Sequence, residues 1–105
     1  MIVVIGRVRT DPDKRAELVR IGQTLAAASR AEAGCISYRL YEDTEIENDF
    51  MFVEEWESEE ALQQHFATSH IAEFMRAVPA AVVAPPDVNF HTVASSRNLA
   101  DVTTR

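Results

Sequence analysis

His65, His70 and His91 are the side chains of this sequence whose ordinary pKa lies near neutrality. They are the first candidates for moving a proton at physiological pH. His65 follows Leu62 by three residues and abuts Phe66, which puts it at the edge of an apolar stripe. There it can transfer a proton at a pocket rim, or it can pack a helix end. His70 lies one turn before Phe74 and can face the same pocket or cap a second helical piece. His91 falls in the last apolar stretch, a surface or interface position. Trp56 ends a segment in which Phe50 and Phe52 share its face. It can form the flat wall of an aromatic-binding pocket, with core packing as the competing role. Tyr38, Phe66, Phe74 and His70 are the further candidate contacts for such a ligand, Tyr38 through its hydroxyl.

Arg7 and Arg39 interrupt apolar strands, a costly place for a charge unless it is paired or lines a cavity. Arg7 is therefore a candidate for binding an anionic group on a substrate. The competing expectation, for both arginines, is an ion pair with Glu54 across the sheet. The acidic run Glu54, Glu55, Glu57, Glu59 and Glu60 reads as a solvated helix start, where carboxylates favour the positive helix end.

Spacing argues against several cofactors. His65 and His70 are five apart, not the four that sets two ligands on one helical face, and Thr68-Ser69 breaks the helix between them. No metal site is expected. The three glycines, Gly6, Gly22 and Gly34, form neither a dinucleotide fingerprint nor a phosphate loop. Cys35, the one cysteine, cannot form an internal disulfide and reads as a small buried hydrophobe in a reducing, cytoplasmic setting.

The elements that must position these residues are legible. Residues 2–9 read as a strand apolar on both faces, with Ile2, Val4 and Val8 on one and Val3 and Ile5 on the other. Asp11-Pro12-Asp13 opens a helix, and Leu18, Ile21, Leu25 and Ala28 give it one buried stripe before Gly34 stops it. Residues 36–42 alternate as a strand, with Ile36, Tyr38 and Leu40 on one face. Residues 50–57 form another, with Phe50, Phe52, Glu54 and Trp56 together. Ser58 caps a second helix, Thr68 and Ser69 interrupt it, and Ile71, Phe74, Met75 and Val78 line the following piece. A last strand spans 88–93.

This order, βαββαβ, predicts an α+β, ferredoxin-like antiparallel sheet with both helices on one face. Residues 1–94 form the domain and 95–105 a polar tail. The opposite sheet face is apolar and has nothing in the chain to cover it, which predicts a homodimer through that open face. At 105 residues, 47% hydrophobic and 26% charged, the chain is one globular domain. Its 17 acidic and 10 basic residues disfavour nucleic acid and anionic membranes as partners. No signal peptide or membrane span is evident.

The stretch SRAEAGCISYRLYED, followed by FMFVEEWESEEALQQHFATSHIAEF, resembles the antibiotic biosynthesis monooxygenase domain family. The matching positions are Glu32, Gly34, Cys35, Tyr38, Glu54, Trp56, Ala61, Leu62, His65, Ser69 and His70, with Ala33 where the family usually has proline. The resemblance implies a dimeric α/β-barrel. It also implies a cofactor-independent monooxygenase acting on small aromatic, quinol- or anthrone-like substrates with molecular oxygen, with Trp56 as pocket wall and His65 as proton-transfer group. Without metal or flavin, the substrate itself must supply the electrons, as an ionised phenol or enol can. The same scaffold also hosts haem degradation, isomerisation of small phosphorylated metabolites and non-catalytic ligand binding, which remain alternatives.

Overall fold

A computed structural model describes residues 1–103. Four strands and three main helices alternate: β1 (Ile2–Arg9), α1 (Arg15–Arg30), β2 (Cys35–Glu42), β3 (Asp49–Trp56), α2 (Glu59–Phe66), α3 (Ser69–Ala77) and β4 (Asp87–Thr92). A short helix, α4 (Leu99–Thr103), lies in the predicted tail. The sheet order is β2-β3-β1-β4 with every neighbouring pair antiparallel, the expected ferredoxin-like arrangement.

Burial alternates along β1 and β3 with a period of two, as a sheet covered on one face requires. Ile2, Val4 and Val8 of β1 and Phe50, Phe52 and Trp56 of β3 are buried. They meet Leu18 and Leu25 of α1 and Ile71 and Phe74 of α3. The other face carries Val3, Ile5, Met51 and Val53, all half-buried, with Arg7, Arg39 and Tyr41 exposed among them. The pairing Val3↔Glu55, Ile5↔Val53 and Arg7↔Met51 sets these residues side by side.

Three local readings change. The buried stripe of α1 runs through Leu18, Gly22, Leu25, Ala26 and Ser29, while Ile21 is half-buried. The reason is Gly22: the Cβ it lacks would lie 2.8 Å from Leu40 Cδ2 and 3.2 Å from a Phe52 ring carbon, so the helix settles glycine-side down on the sheet. Ile36 does not share the Tyr38 face in packing. The ladder slips between Cys35 and Ser37, and Ile36 is displaced to 50% exposure. Met75 is 60% exposed, outside the α3 stripe of Ile71 and Phe74.

The turn between α1 and β2 depends on Gly34. Its φ of +83° lies in the left-handed region, and a Cβ there would sit 2.5 Å from Ala61 Cβ of α2. The Gly34 carbonyl also accepts the Glu57 N–H at 2.8 Å. Gly34→Ala therefore combines backbone strain with a clash against the second helix. Its expected cost is at least about 2 kcal/mol, measurable as a fall in the urea midpoint. An unchanged midpoint would show that this turn can relax.

Candidate functional site

The break between α2 and α3 is built by one residue. Thr68 donates its hydroxyl to the His65 carbonyl at 2.7 Å, and its Oγ1 accepts the Ile71 N–H at 3.4 Å. It thereby ends α2 and caps α3, as Ser58 caps α2 by accepting from Ala61 N–H. The resulting bend turns His65, in the last turn of α2, and His70, in the first turn of α3, toward a common point.

Glu32 occupies that point. A single carboxylate oxygen, Oε2, lies 2.7 Å from His65 Nδ1 and 2.7 Å from His70 Nε2. The His65 side chain is only 1% exposed, whereas His70 is 21% exposed. The sequence spacing of the histidines, which pointed away from a joint site, is overruled by the helix break. Two imidazole nitrogens and a carboxylate oxygen now stand within 4.8 Å of one another. His70 belongs to this cluster and does not cap α3, because Thr68 fills that role. Glu32 was legible only as a member of the family-like motif, since nothing in its spacing tied it to the histidines.

The His65–Glu32 contact determines the tautomer. For a neutral imidazole, donation from Nδ1 to the carboxylate leaves the lone pair on Nε2, at the other edge of the ring. Burial lowers the pKa of His65 below its ordinary value, and the hydrogen bond and charge of Glu32 oppose that shift.

The His65 ring contributes to the wall of a cavity of about 330 Å³ between the sheet and α3. Val4, Gly6 and Val8 line it from β1, Tyr38 from β2, Phe52 and Glu54 from β3, and Phe66, Phe74 and Met75 from the helices. Val88 and Phe90 of the exposed edge strand β4 complete the rim, where Phe66 and Phe90 pack edge-on at 5.9 Å. Tyr38, His65, Phe66 and Phe74 all line this one cavity. His70 stands behind His65 through Glu32.

Trp56 is placed differently from the expected pocket wall. It is fully buried beside the cavity rather than lining it, with its ring 4.7 Å from that of His65 and 6.2 Å from Tyr38. Its Nε1 donates to Glu54 Oε1 at 2.9 Å. Arg7 is also misplaced by the sequence reading. It projects from the outer sheet face, opposite Met51 and Asp87, and does not reach the cavity. The expected ion pair of Arg7 or Arg39 with Glu54 fails for the same reason: strand alternation puts the arginines on one face and Glu54 on the other.

Glu54 itself departs from the reading of a solvated carboxylate. It is 7% exposed, whereas Glu59 and Glu60 do form a solvated first turn of α2. Burial pushes its pKa up to about 7, with the Trp56 hydrogen bond and the neighbouring Tyr38 hydroxyl partly opposing the rise. Burial beside Glu54 likewise pushes the Tyr38 hydroxyl far above its ordinary value. Cys35 is pushed up to about 11, first by burial and then by Glu32 and Glu54, which leaves it a thiol at neutral pH.

Because the folded state holds the Glu54 proton more tightly than the unfolded chain, this group adds most stability below its ordinary pKa of 4.5. That contribution is lost as pH rises through about 7. The shift corresponds to about 3 kcal/mol. Glu54→Gln should flatten the decline in unfolding free energy between pH 5 and pH 8. An identical pH dependence in the variant would show Glu54 to be solvated.

Comparison with known proteins follows the same lines. Residues 1–77 match the family model described as antibiotic biosynthesis monooxygenase. A Bacillus subtilis protein named "Putative monooxygenase YcnE" is 36% identical over 88 residues, covering 84% of this chain and 93% of its own. An uncharacterized Synechocystis protein, sll1783, is 38% identical over 98 residues, covering 93% of this chain and 67% of its own. The solved structure of Rv0793 from Mycobacterium tuberculosis superposes with a TM-score of 0.86 at 27% identity, over 92% of this chain and 98% of that one. With the family model spanning both the α1–β2 turn that carries Glu32 and the helix break that joins His65 to His70, the chain belongs to the antibiotic biosynthesis monooxygenase family.

Proposed function

We propose that the protein is a cofactor-independent monooxygenase of small aromatic, quinol- or anthrone-like substrates, using molecular oxygen. The observation that carries this reading is the buried His65, held through Nδ1 by Glu32, at the wall of an aromatic-lined cavity. A volume of about 330 Å³ falls at the low end of small-molecule pockets. Its walls are mainly Phe, Val and Pro side chains, with Tyr38, Glu54 and His65 as the polar groups.

His65 takes the acidic proton of the phenol or enol through Nε2, and Glu32 stabilises the imidazolium that forms. The apolar walls exclude water and keep the substrate anion electron-rich. The anion transfers one electron to oxygen, and the two radicals combine at carbon. The peroxide anion takes the proton back from the His65 imidazolium, and the hydroperoxide loses water across its C–H and O–O bonds to leave a carbonyl. One oxygen atom enters the product and the other leaves as water, with all electrons drawn from the substrate. Tyr38 and Glu54 offer hydrogen bonds to the substrate oxygen on the sheet side.

Oxygen uptake by chelator-treated protein with a panel of quinols and anthrones tests this reading. Uptake should exceed autoxidation and fall by about 10²-fold or more in His65→Ala. Glu32→Gln, which spoils the tautomer, should cost on the order of 10-fold or more. Full turnover in His65→Ala would remove the proton-transfer role. No uptake with any substrate would favour the isomerase or ligand-binding readings.

A second copy of the chain is the proposed cover for the outer sheet face, where Val3, Ile5, Met51 and Val53 form a half-buried apolar strip. No helix among the described residues is long and apolar enough to cross a membrane, and the proposed site of action is the cytoplasm. Analytical ultracentrifugation should show the mass of two chains, and Val53→Asp, which puts a charge in the centre of that face, should give one. A wild-type monomer at micromolar concentration would overturn the dimer.

A further inference from the structure

We propose that Glu32, His65 and His70 form a binding site for a first-row divalent transition ion, with Zn(II) the best match. Two imidazoles and one carboxylate are a donor set that suits zinc and its neighbours, and Mg(II) or Ca(II) poorly, since those ions take oxygen ligands. Bonds of about 2.0–2.2 Å to such donors place ligand atoms about 3–4 Å apart. The present spacing brackets that range: Oε2 is 2.7 Å from each nitrogen, and all three atoms lie within 4.8 Å. Seating an ion requires the carboxylate to open slightly and the two imidazole nitrogens to stand no more than about 4 Å apart. Three protein ligands leave one position for water.

The ligands come from three separately anchored pieces of backbone. Glu32 stands in the turn fixed by Gly34, His65 in the last turn of α2, and His70 in the first turn of α3 beyond the Thr68 cap. A route to solvent exists on the side away from the apolar cavity. His70 lines a hollow of about 200 Å³ between α1 and α3, together with Thr24 and Glu73. An ion can reach His70 from there.

Occupancy has a consequence for His65 that does not depend on its charge. An ion on Nδ1 of the neutral ring moves the ring proton to Nε2. The ring then offers a donor where it had offered a lone pair. The bound ion and a proton-accepting His65 are mutually exclusive, so the site acts as a metal-controlled block on that nitrogen. The ion's binding itself stands independently of any oxygenase activity.

The test is isothermal calorimetry of Zn(II) into chelator-stripped full-length protein, with Co(II) absorption as a second probe of coordination. One ion per chain is expected, with visible Co(II) bands of a four-coordinate site and no displacement by millimolar Mg(II). His70→Ala and Glu32→Gln should each weaken binding on the order of 10-fold or more, whereas His91→Ala, on the outer sheet face, should not. Circular dichroism checks that the variants fold. Should Glu32→Gln not fold, His70→Ala decides, because that side chain is partly exposed. No binding by wild type, or binding unchanged in His70→Ala, would overturn the site and leave a hydrogen-bonded cluster only.

Discussion

One carboxylate oxygen shared by two imidazoles is the contact around which the site is arranged. Glu32 has to be brought from the α1–β2 turn against the end of α2 and the start of α3. That requires a left-handed glycine, because a side chain at position 34 would strike Ala61 and hold the turn away from α2. It requires a helix that stops one residue after His65 and restarts before His70, which Thr68 accomplishes with two hydrogen bonds. A polar contact of this kind, almost out of solvent, is worth forming only when its donors and acceptor meet with good geometry. Backbone turn, cap and helix break are therefore parts of one solution.

A second buried carboxylate balances the first across the aromatic cluster. Glu54 sits on the inner face of β3, where alternation would ordinarily place an apolar side chain. Trp56, two residues on, shares that face and donates its indole N–H back to Glu54. Trp56, Tyr38 and His65 pack ring against ring, with centroids between 4.7 and 6.2 Å apart, and so separate the two carboxylates. Trp56 thus supports the site from behind, orienting both His65 and Glu54. Its chemical contribution lies in its hydrogen bond as much as in its flat surface.

The cavity and the outer sheet face are consequences of the same topology. Helices cover one face only, so inner residues of β1 and β3 line the pocket while Val3, Ile5, Met51 and Val53 are left on the outside. Edge strand β4 is paired on one side, to β1, and its Val88 and Phe90 remain substantially exposed at the cavity rim. The cavity thus runs from the exposed sheet edge to the His65 wall.

The sequence alone determined the element order, the alternation of side chains along β1 and β3, and the caps at Ser58 and Thr68. All of these follow from local propensity and from periods of two and 3.6 residues, which act over a few positions along the chain. Tertiary structure decided the rest. The face of α1 was decided by Gly22, whose missing side chain permits a close approach to Leu40 and Phe52. The exposure of Ile36 was decided by a one-residue slip in strand pairing. Arg7 was assigned to a site it cannot reach, because which face of a doubly apolar strand meets the helices is settled only when they pack. The meeting of Glu32 with His65 and His70, 33 and 38 residues away, depends on three chain segments converging. Contacts of that range leave no periodicity in the sequence, since their energy arises only once the intervening strands have paired.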